Sequence, residues 1–258
     1  MCLVVFAFKV HPDFRLLLGA NRDEFHQRPS RELHWWSDRP GLLAGRDLQA
    51  GGTWLAVSRN GRFATVTNYR EHQRKRAGYA SRGELVADFV GGDNDAAGFV
   101  SNIDGNRYAG FSLLADDGEE FWYVSNRGDG PLRLAPGIYG LSNAALDTPW
   151  PKLVRSKSAL RALLDAGNVN QSTLMRLLAD RTVAAIPDVE TGALPFDVAR
   201  ALTAPFIVSP DYGTRCTTAV TWSEAGQISL SEQRFDAEGE KSGESRFRFS
   251  LAGHQPPE

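Results

Sequence analysis

Residues 2–10 and 14–20 decide the fold, and they read CLVVFAFKV and FRLLLGA. Each is a short apolar run rich in β-forming residues, and the intervening HPD reads as a turn because proline interrupts the pattern. The two runs therefore predict an antiparallel hairpin at the start of the chain. Since the turn fixes the pairing of such a hairpin, we expect Cys2 to lie opposite Asn21 or Arg22.

The hairpin would bring reactive groups to the residue that follows the initiator methionine. Along an extended strand, Asn21 and Asp23 project to one face and Arg22 to the other. Removal of Met1 would give Cys2 an α-amine able to accept the proton of its own thiol, as in an N-terminal nucleophile. Asp23 would orient that amine, and a nearby arginine would favour the thiolate. The alternative is a small buried cysteine beside a surface Asp–Arg pair.

The composition is that of an ordinary globular protein of 258 residues, with 42% hydrophobic and 23% charged residues. The net charge of −2 argues against the broad basic surface of a nucleic-acid-binding protein. Two cysteines exclude a disulfide scaffold, and the five histidines lack the spacing of a metal site. No signal-peptide pattern and no apolar run of ~18 residues is present. We therefore expect a cytoplasmic protein without a metal or a transmembrane segment.

Strands and helices alternate in groups along the rest of the chain. Helices are predicted at 81–92, at Ala96–Ser101, from Pro151 to Gly167 and at 170–180. Strand-like runs are predicted at 53–68, 109–115, 120–125, 137–143, 214–222, 227–235 and 245–251. Within the first run, Asn60 and Gly61 favour a type I′ hairpin, and Ser81 with Glu84 favours a capping box.

Hairpins dominate this order, and no regular βαβ alternation appears. The pattern therefore predicts an α+β fold with two antiparallel sheets and helices packed outside them. No linker, internal repeat or low-complexity segment divides the chain. We expect a single domain over residues 1–258, with a loose tail at about 252–258.

Six motifs follow one another through the first 152 residues. They read MCLVVFAF, GANRDE, GRDLQAGGTWLAV, TVTNYRE, SRGELV and LSNAALDTPWPK. The ordered set resembles the NRDE family, also called the transport and Golgi organisation family. That family is similar to the N-terminal nucleophile hydrolases, which implies a four-layer αββα sandwich. It is particularly similar to the choloylglycine hydrolase and penicillin acylase group, which cleaves amide bonds.

The resemblance implies roles for individual residues. Cys2 matches the group's N-terminal cysteine, and Asp23 matches the carboxylate near the amine. Asn68 resembles the oxyanion-side asparagine, Asn143 the asparagine of the Thr-Asn-Ser-Pro motif, and Arg215 a late active-site arginine. Such donors stabilise the negative oxygen of a tetrahedral intermediate. The first hypothesis is therefore a cysteine amidohydrolase that cleaves linear amides of small acylated substrates through a thioester.

One position departs from the Gly-Arg-Asn-x-Asp motif of the group, because Ala20 stands where the motif has arginine. Arg22 shares the strand parity of Ala20, but regular alternation places it on the face opposite Asp23. Either a bulge redirects one of these two side chains, or Arg215 supplies the positive charge at the thiol. The departure bears on hydrolytic activity and leaves the predicted fold unchanged.

The resemblance also implies a link to haem trafficking and to lipid or acyl-CoA homeostasis. The second hypothesis is therefore a non-catalytic carrier of haem or an acyl lipid, with haem as a candidate ligand and no required cofactor. A third is a structural or interaction protein with an occluded pocket. The expected ligand is a small apolar, partly anionic molecule. The candidate binding residues are Asn21, Arg22, Trp35, Trp36 and Arg70.

Several of these residues have alternative interpretations. Trp35 and Trp36 either form the lip of a pocket, or one fills the core while the other covers a sheet edge. Arg70 begins a basic run over 70–76, which is either a receptor for carboxylate or phosphate groups or a solvated loop. His26 and His34 are candidate axial haem ligands, although a lone histidine is more often a hydrogen-bonded structural residue.

Overall fold

The computed structural model describes residues 2–71 and 78–251, so the predicted tail lies outside the described residues. The strands are β1 (Cys2–Phe8), β2 (Phe14–Phe25), β3 (Ser30–Trp35), β4 (Leu42–Asp47), β5 (Leu55–Ser58), β6 (Phe63–Asn68), β7 (Phe111–Asp116), β8 (Phe121–Ser125), β9 (Leu132–Arg133), β10 (Gly137–Leu141), β11 (Tyr212–Ser223), β12 (Gln227–Phe235) and β13 (Lys241–Ser250). The helices are α1 (Arg82–Val90), α2 (Ala96–Ser101), α3 (Pro151–Asp165), α4 (Gln171–Leu178) and α5 (Phe196–Ala201). None of these helices is long and apolar enough to cross a membrane.

The strands form two antiparallel sheets. The first has the order β10-β1-β2-β11-β12-β13, and the second has the order β3-β4-β5-β6-β7-β8-β9. Alternate residues of β1, such as Val4 and Phe6, pack between the sheets against Phe63 and Phe121 of the second sheet. The other face of β1 packs against α3 and α4, while α1 and α2 cover the second sheet. This is the predicted four-layer αββα sandwich of an α+β protein.

The first hairpin confirms the predicted register. Cys2 lies opposite Arg22, and Leu3 lies opposite Asn21. The second strand is longer than predicted, because it continues past Ala20 to Phe25. β11 pairs with it along this whole length, so the NRDE segment is the end of a central strand rather than a loop.

The turn between β5 and β6 differs from the prediction. Gly61 has a φ of +77°, but Asn60 is not in the left-handed region that a type I′ turn requires at both central positions. The backbone N–H of Ser58 donates to the carbonyl oxygen of Arg62 at 2.8 Å, which closes a longer loop. The prediction of a tight two-residue hairpin is therefore wrong, although the two strands pair as expected.

The start of α1 is also held differently from the prediction. Ser81 occupies the N-cap position, but its side chain makes no capping hydrogen bond, so the predicted capping box is wrong. Instead, the backbone N–H of Thr53 donates to the carbonyl oxygen of Gly83 at 3.2 Å. A Cβ atom added to Gly52 would lie 2.5 Å from the carbonyl carbon of Gly83. The two main chains are therefore in direct contact, which only glycine permits.

A buried ion pair joins the two sheets. Arg15 in β2 donates from Nη2 to Oδ1 of Asp116 in β7 at 2.7 Å, with side chains 9% and 0% exposed. The Arg15 guanidinium also lies 5.2 Å from the ring centroids of Phe8 and Trp222. The backbone N–H of Gly118 donates to the same Asp116 oxygen. The pair is thus fixed by aromatic rings on one side and by a turn on the other.

Candidate functional site

Three side chains form a row across the first sheet where β1 begins and β2 ends. Arg22 pairs with Cys2 on one side and with Cys216 of β11 on the other. Directly opposite residues of antiparallel strands present their side chains on one face. Ala20, which has the parity of Arg22, packs in the core between the sheets. The row therefore faces the interior of the sandwich.

Arg22 is the cation on the Cys2 face. Its guanidinium lies 4.5 Å from the ring centroid of Trp54, and its Nη2 atom lies 3.8 Å from Oδ2 of Asp47. Cys2 is half-buried, and desolvation raises the pKa of its thiol, whereas the charge of Arg22 acts in the opposite direction. Arg22 therefore favours the thiolate but does not fully offset the effect of burial.

Arg215 has a different position from the predicted one. It is the extra residue of a bulge in β11, and its guanidinium donates to the carbonyl oxygens of Phe25 at 3.0 Å and His26 at 2.8 Å. These bonds direct its charge to the loop that follows β2. The bulge thus lies in β11 rather than in β2, and Arg22 occupies the face of Cys2 through regular alternation.

Asp23 contacts Cys2 through its backbone and directs its carboxylate to the other face. Its backbone N–H lies close enough to the Cys2 thiol to act against the rise in the pKa of that thiol. Its Oδ1 atom accepts from the hydroxyl of Thr214 at 2.7 Å, and its carbonyl oxygen accepts from the hydroxyl of Tyr212 at 2.8 Å. The residue is 1% exposed, and burial raises the pKa of its carboxyl, while Lys152 is the strongest influence in the opposite direction.

Asn68 and Asn143 lie together at the same end of the sandwich. The Asn143 side-chain amide donates to the backbone carbonyl oxygen of Asn68 at 3.1 Å, and the carbonyl oxygen of Asn143 accepts from the backbone N–H of Arg70 at 2.7 Å. The hydroxyl of Ser142 donates to the carbonyl oxygen of Cys2 at 2.9 Å. The structure therefore brings Cys2, Asn68 and Asn143 together, with the Asn143 amide engaged by a neighbouring carbonyl.

Two further cations lie near Cys2, and the sequence reasoning did not assign a role to either of them. Lys152, at the start of α3, is 4% exposed, and burial lowers the pKa of its amino group while Asp23 and Cys2 act to raise it. Arg82 begins α1 and donates to the carbonyl oxygen of Gly110 at 3.0 Å. Burial lowers the pKa of its guanidinium, and Cys2 is the strongest influence in the opposite direction. Arg82 lies in the SRGELV motif and Lys152 in the LSNAALDTPWPK motif. These motifs were the only sequence signal that could have identified the two cations.

A small, solvent-open cleft with an enclosed volume of about 30 Å³ lies beside these groups. Arg70, Asn143, Trp150 and Lys152 form part of its wall. A larger and shallower hollow lies beside α2, where aspartates dominate the wall, and it contains none of the residues described above. We assign the smaller cleft to the candidate site because it is the one that reaches Asn143 and Lys152.

The two tryptophans of the HWW segment make packing contacts. Trp36 is buried beneath α1, and its indole N–H donates to the carbonyl oxygen of Ala44 at 3.2 Å. Trp35 packs against Phe247 and Phe249 of the edge strand β13. This arrangement is the packing alternative, with one ring in the core and one covering a sheet edge, rather than a pocket lip.

The Asn21 side chain is buried and hydrogen-bonded within the protein interior. Its side-chain nitrogen donates to the carbonyl oxygens of Leu178 at 2.9 Å and Pro205 at 2.8 Å, and its Oδ1 accepts from the hydroxyl of Thr217 at 2.6 Å. These bonds tie β2 to α4 and leave Asn21 as a structural residue. The basic residues that follow Arg70, from 72 to 76, lie outside the described residues.

The two histidines considered as axial haem ligands each bond a backbone carbonyl oxygen. His26 Nε2 bonds to the carbonyl oxygen of Ser209 at 3.0 Å, and His34 Nδ1 bonds to that of Glu32 at 2.7 Å. Cys216 is buried, and burial followed by the nearby Glu232 of β12 raises the pKa of its thiol. Within residues 2–71 and 78–251, no group of three or more His, Cys, Asp and Glu side chains is placed to hold a metal ion.

The pKa of Cys2 can be tested by alkylation. We expect the rate of reaction with iodoacetamide to rise with pH through a midpoint above that of an ordinary thiol, because burial raises the pKa of Cys2. Arg22→Met should move the midpoint still higher, since it removes a charge that favours the thiolate. Time courses of intact mass in a Cys216→Ala background measure this. Exposed Arg31 provides the matched control, Arg31→Met, and an unchanged midpoint in Arg22→Met would contradict the assignment.

Comparison with known proteins gives consistent matches over most of the chain. A family model described as Transport and Golgi organisation 2 matches residues 1–237. The Bos taurus Transport and Golgi organization protein 2 homolog is 35% identical over 256 residues, covering 90% of this chain and 92% of that protein. The Homo sapiens homolog is 34% identical with the same coverage. Among solved structures, the Caenorhabditis elegans N-acylethanolamine-hydrolyzing acid amidase ortholog is similar with a TM-score of 0.48 and 8% identity, covering 84% of this chain and 92% of that one.

Proposed function

The chain belongs to the Transport and Golgi organisation 2 family, and from this premise we propose that it is an N-terminal cysteine hydrolase of amide bonds in small acylated substrates. One observation carries the proposal. Cys2 stands at the start of a central strand with Arg22 beside it on the same face and the backbone N–H of Asp23 close to its thiol. Asn68 and Asn143 meet at the same end of the sandwich. A nucleophile, a cation and two asparagines therefore lie at the same end of the sandwich.

The proposed reaction begins with removal of Met1, which exposes the α-amine of Cys2. That amine takes the thiol proton, and the thiolate attacks the substrate carbonyl carbon to form a C–S bond. Asn68 and Asn143 donate hydrogen bonds to the resulting oxyanion. To do so, the Asn143 amide breaks its hydrogen bond to the Asn68 carbonyl oxygen and donates to the oxyanion in its place. The ammonium then protonates the departing amine as the C–N bond breaks.

Hydrolysis of the thioester completes the cycle. The α-amine accepts a proton from water, the resulting hydroxide attacks the thioester carbonyl, and the C–S bond breaks to release the carboxylic acid. The thiolate recovers its proton from the ammonium. The Asp23 carboxylate stabilises the ammonium in both halves of the cycle. We place this activity in the cytoplasm, where reducing conditions keep the Cys2 thiol available.

Mass spectrometry of the intact protein tests the proposal directly. We expect the purified protein to lack Met1, to release p-nitroaniline from a short-chain acyl p-nitroanilide, and to carry an acyl adduct on Cys2 after an acid quench. The reason is that a thioester intermediate requires an unblocked N-terminal cysteine. The Cys216→Ala variant should form the same adduct. An active protein that retains Met1, or an adduct located elsewhere, would rule out this mechanism.

A non-catalytic carrier of haem or an acyl lipid such as acyl-CoA is the second candidate. Two observations favour it: burial raises the pKa of the Cys2 thiol, and the Asn143 amide is engaged with the Asn68 carbonyl. A carrier needs neither a thiolate nor a vacant oxyanion donor. Its ligand would enter the cleft bordered by Arg70 and Trp150.

A further inference from the structure

Two residues of the cleft wall each carry a buried hydrogen-bond donor that has no acceptor in the described part of the chain. Nε1 of Trp150 and Nζ of Lys152 have no hydrogen-bond partner among the residues that the structure describes. Native proteins satisfy nearly all buried polar atoms, so each exception calls for an explanation. Two such donors in one cleft indicate an oxygen acceptor that arrives with a ligand.

The charges around Lys152 favour an anionic acceptor. Lys152 has no ion pair within the described part of the chain, and Arg70 is a second cation on the cleft wall, held by a 3.0 Å hydrogen bond from its Nη2 to the carbonyl oxygen of Thr191. Asp23 faces Lys152 from β2 and is the strongest influence that raises the pKa of its amino group, but Nζ of Lys152 makes no hydrogen bond within the described residues. Burial without a hydrogen bond disfavours a cation, and a bound anion that accepts one would reduce that penalty.

The remainder of the cleft limits the shape of the ligand. Pro151, Ala199 and Leu202 give the wall an apolar surface, whereas Asp188 and Glu190 are exposed at the rim. These rim carboxylates are screened by solvent, while the donors are buried. A short apolar group that extends from the donors towards the opening would contact this apolar wall.

We propose that the cleft is a subsite for the anionic oxygen group, carboxylate or phosphate, of a ligand with a short apolar chain, bound by Lys152 and Trp150. The inference rests on the proposed function, since it names the substrate class of the same site. Binding of the anion requires no hydrolysis, however, so the subsite proposal and the hydrolase proposal can fail independently of each other. Burial lowers the pKa of the Lys152 amino group, and a docked anion would raise it again.

Calorimetric titration of the wild-type protein with hexanoate, hexyl phosphate and hexanol tests the subsite. We expect one or both anions to bind saturably, and the alcohol to bind about tenfold more weakly or not at all, because charge-assisted hydrogen bonds distinguish them. Binding of hexanoate alone would identify a carboxylate subsite, and binding of hexyl phosphate alone a phosphate subsite. Equal affinity for hexanol, or no binding of either anion, would overturn the proposal.

Variants assign the binding to the two donors. Lys152→Met should weaken anion binding about tenfold and leave binding of any alcohol nearly unchanged, since it removes the charge and its charge-assisted hydrogen bond but keeps an apolar chain of similar length. Trp150→Phe should weaken anion binding about threefold, because the ring remains while the indole N–H is lost. Lys157→Met is the matched control, as Lys157 lies on the same helix and pairs with Asp147 at 2.7 Å. Unchanged anion affinity in both Lys152→Met and Trp150→Phe would refute the assignment.

Discussion

Replacing Cys2 with alanine is expected to lower kcat for acyl-amide hydrolysis by at least about a thousandfold, because the nucleophile itself is removed. The side chain is small and half-buried, so the midpoint of thermal unfolding should change little. Steady-state release of p-nitroaniline and thermal denaturation measure the two effects. A large loss of turnover with an intact fold would separate chemistry from stability.

Cys216 provides the control for this experiment. It lies in the same cross-strand row but is buried near Glu232, and burial raises its pKa well above the ordinary value. Cys216→Ala should therefore keep most of the turnover and lose some stability. Retention of more than about a tenth of wild-type kcat in Cys2→Ala would remove Cys2 as the nucleophile. Absence of turnover in the wild type, with saturable haem or acyl-CoA binding unchanged in Cys2→Ala, would favour the carrier.

Replacing Arg15 with leucine should destabilise the protein by about 3–5 kcal/mol, because it leaves the Asp116 carboxylate buried without its cation. Burial already raises the pKa of Asp116, and Arg15 is the strongest influence that lowers it. The loss corresponds to a decrease in Tm of roughly 10 °C for a chain of this size. Urea denaturation followed by fluorescence would measure the free energy of unfolding.

A double variant and an exposed pair complete this experiment. Arg15→Leu combined with Asp116→Leu should recover much of the lost stability, since no unpaired charge remains in the interior. Arg133→Leu is the matched control, because Arg133 is exposed and its partner Glu120 is partly open to solvent, and such pairs contribute about 0–1 kcal/mol. Equal losses for Arg15→Leu and Arg133→Leu would show that the inter-sheet pair contributes no more than a surface pair.

Local sequence signals were enough to predict the first hairpin, its register and the layer order. The turn fixes the pairing of neighbouring strands, so the position of Cys2 opposite Arg22 followed from counting residues. The length of β2 did not follow, because its last residues are strand only through pairing with β11, which is far away in sequence. The strands β3 and β4 were also missed, since charged residues interrupt β3 and the apolar run of β4 is only three residues long.

The candidate site could be predicted only in part, for two physical reasons. The location of Arg215 depends on a bulge in β11, which strand alternation does not reveal. Lys152 and Arg82 stand at helix starts, where polar residues usually face solvent, and only the packing of α3 and α1 on the sheets buries them. The sequence therefore indicated which motifs matter, but tertiary packing decided which of their charges surround Cys2.

The contact between Gly52 and Gly83 makes the site sensitive to residues that never touch it. Arg82 adjoins Gly83, so a methyl group at either glycine would push the first turn of α1 outward and carry the guanidinium away from the thiol. A substitution at position 52 or 83 would then lower activity in the same way as a substitution of a catalytic residue, although every reactive group is still present. The close main-chain contact between Gly52 and Gly83 therefore limits which amino-acid substitutions this protein tolerates at these two positions.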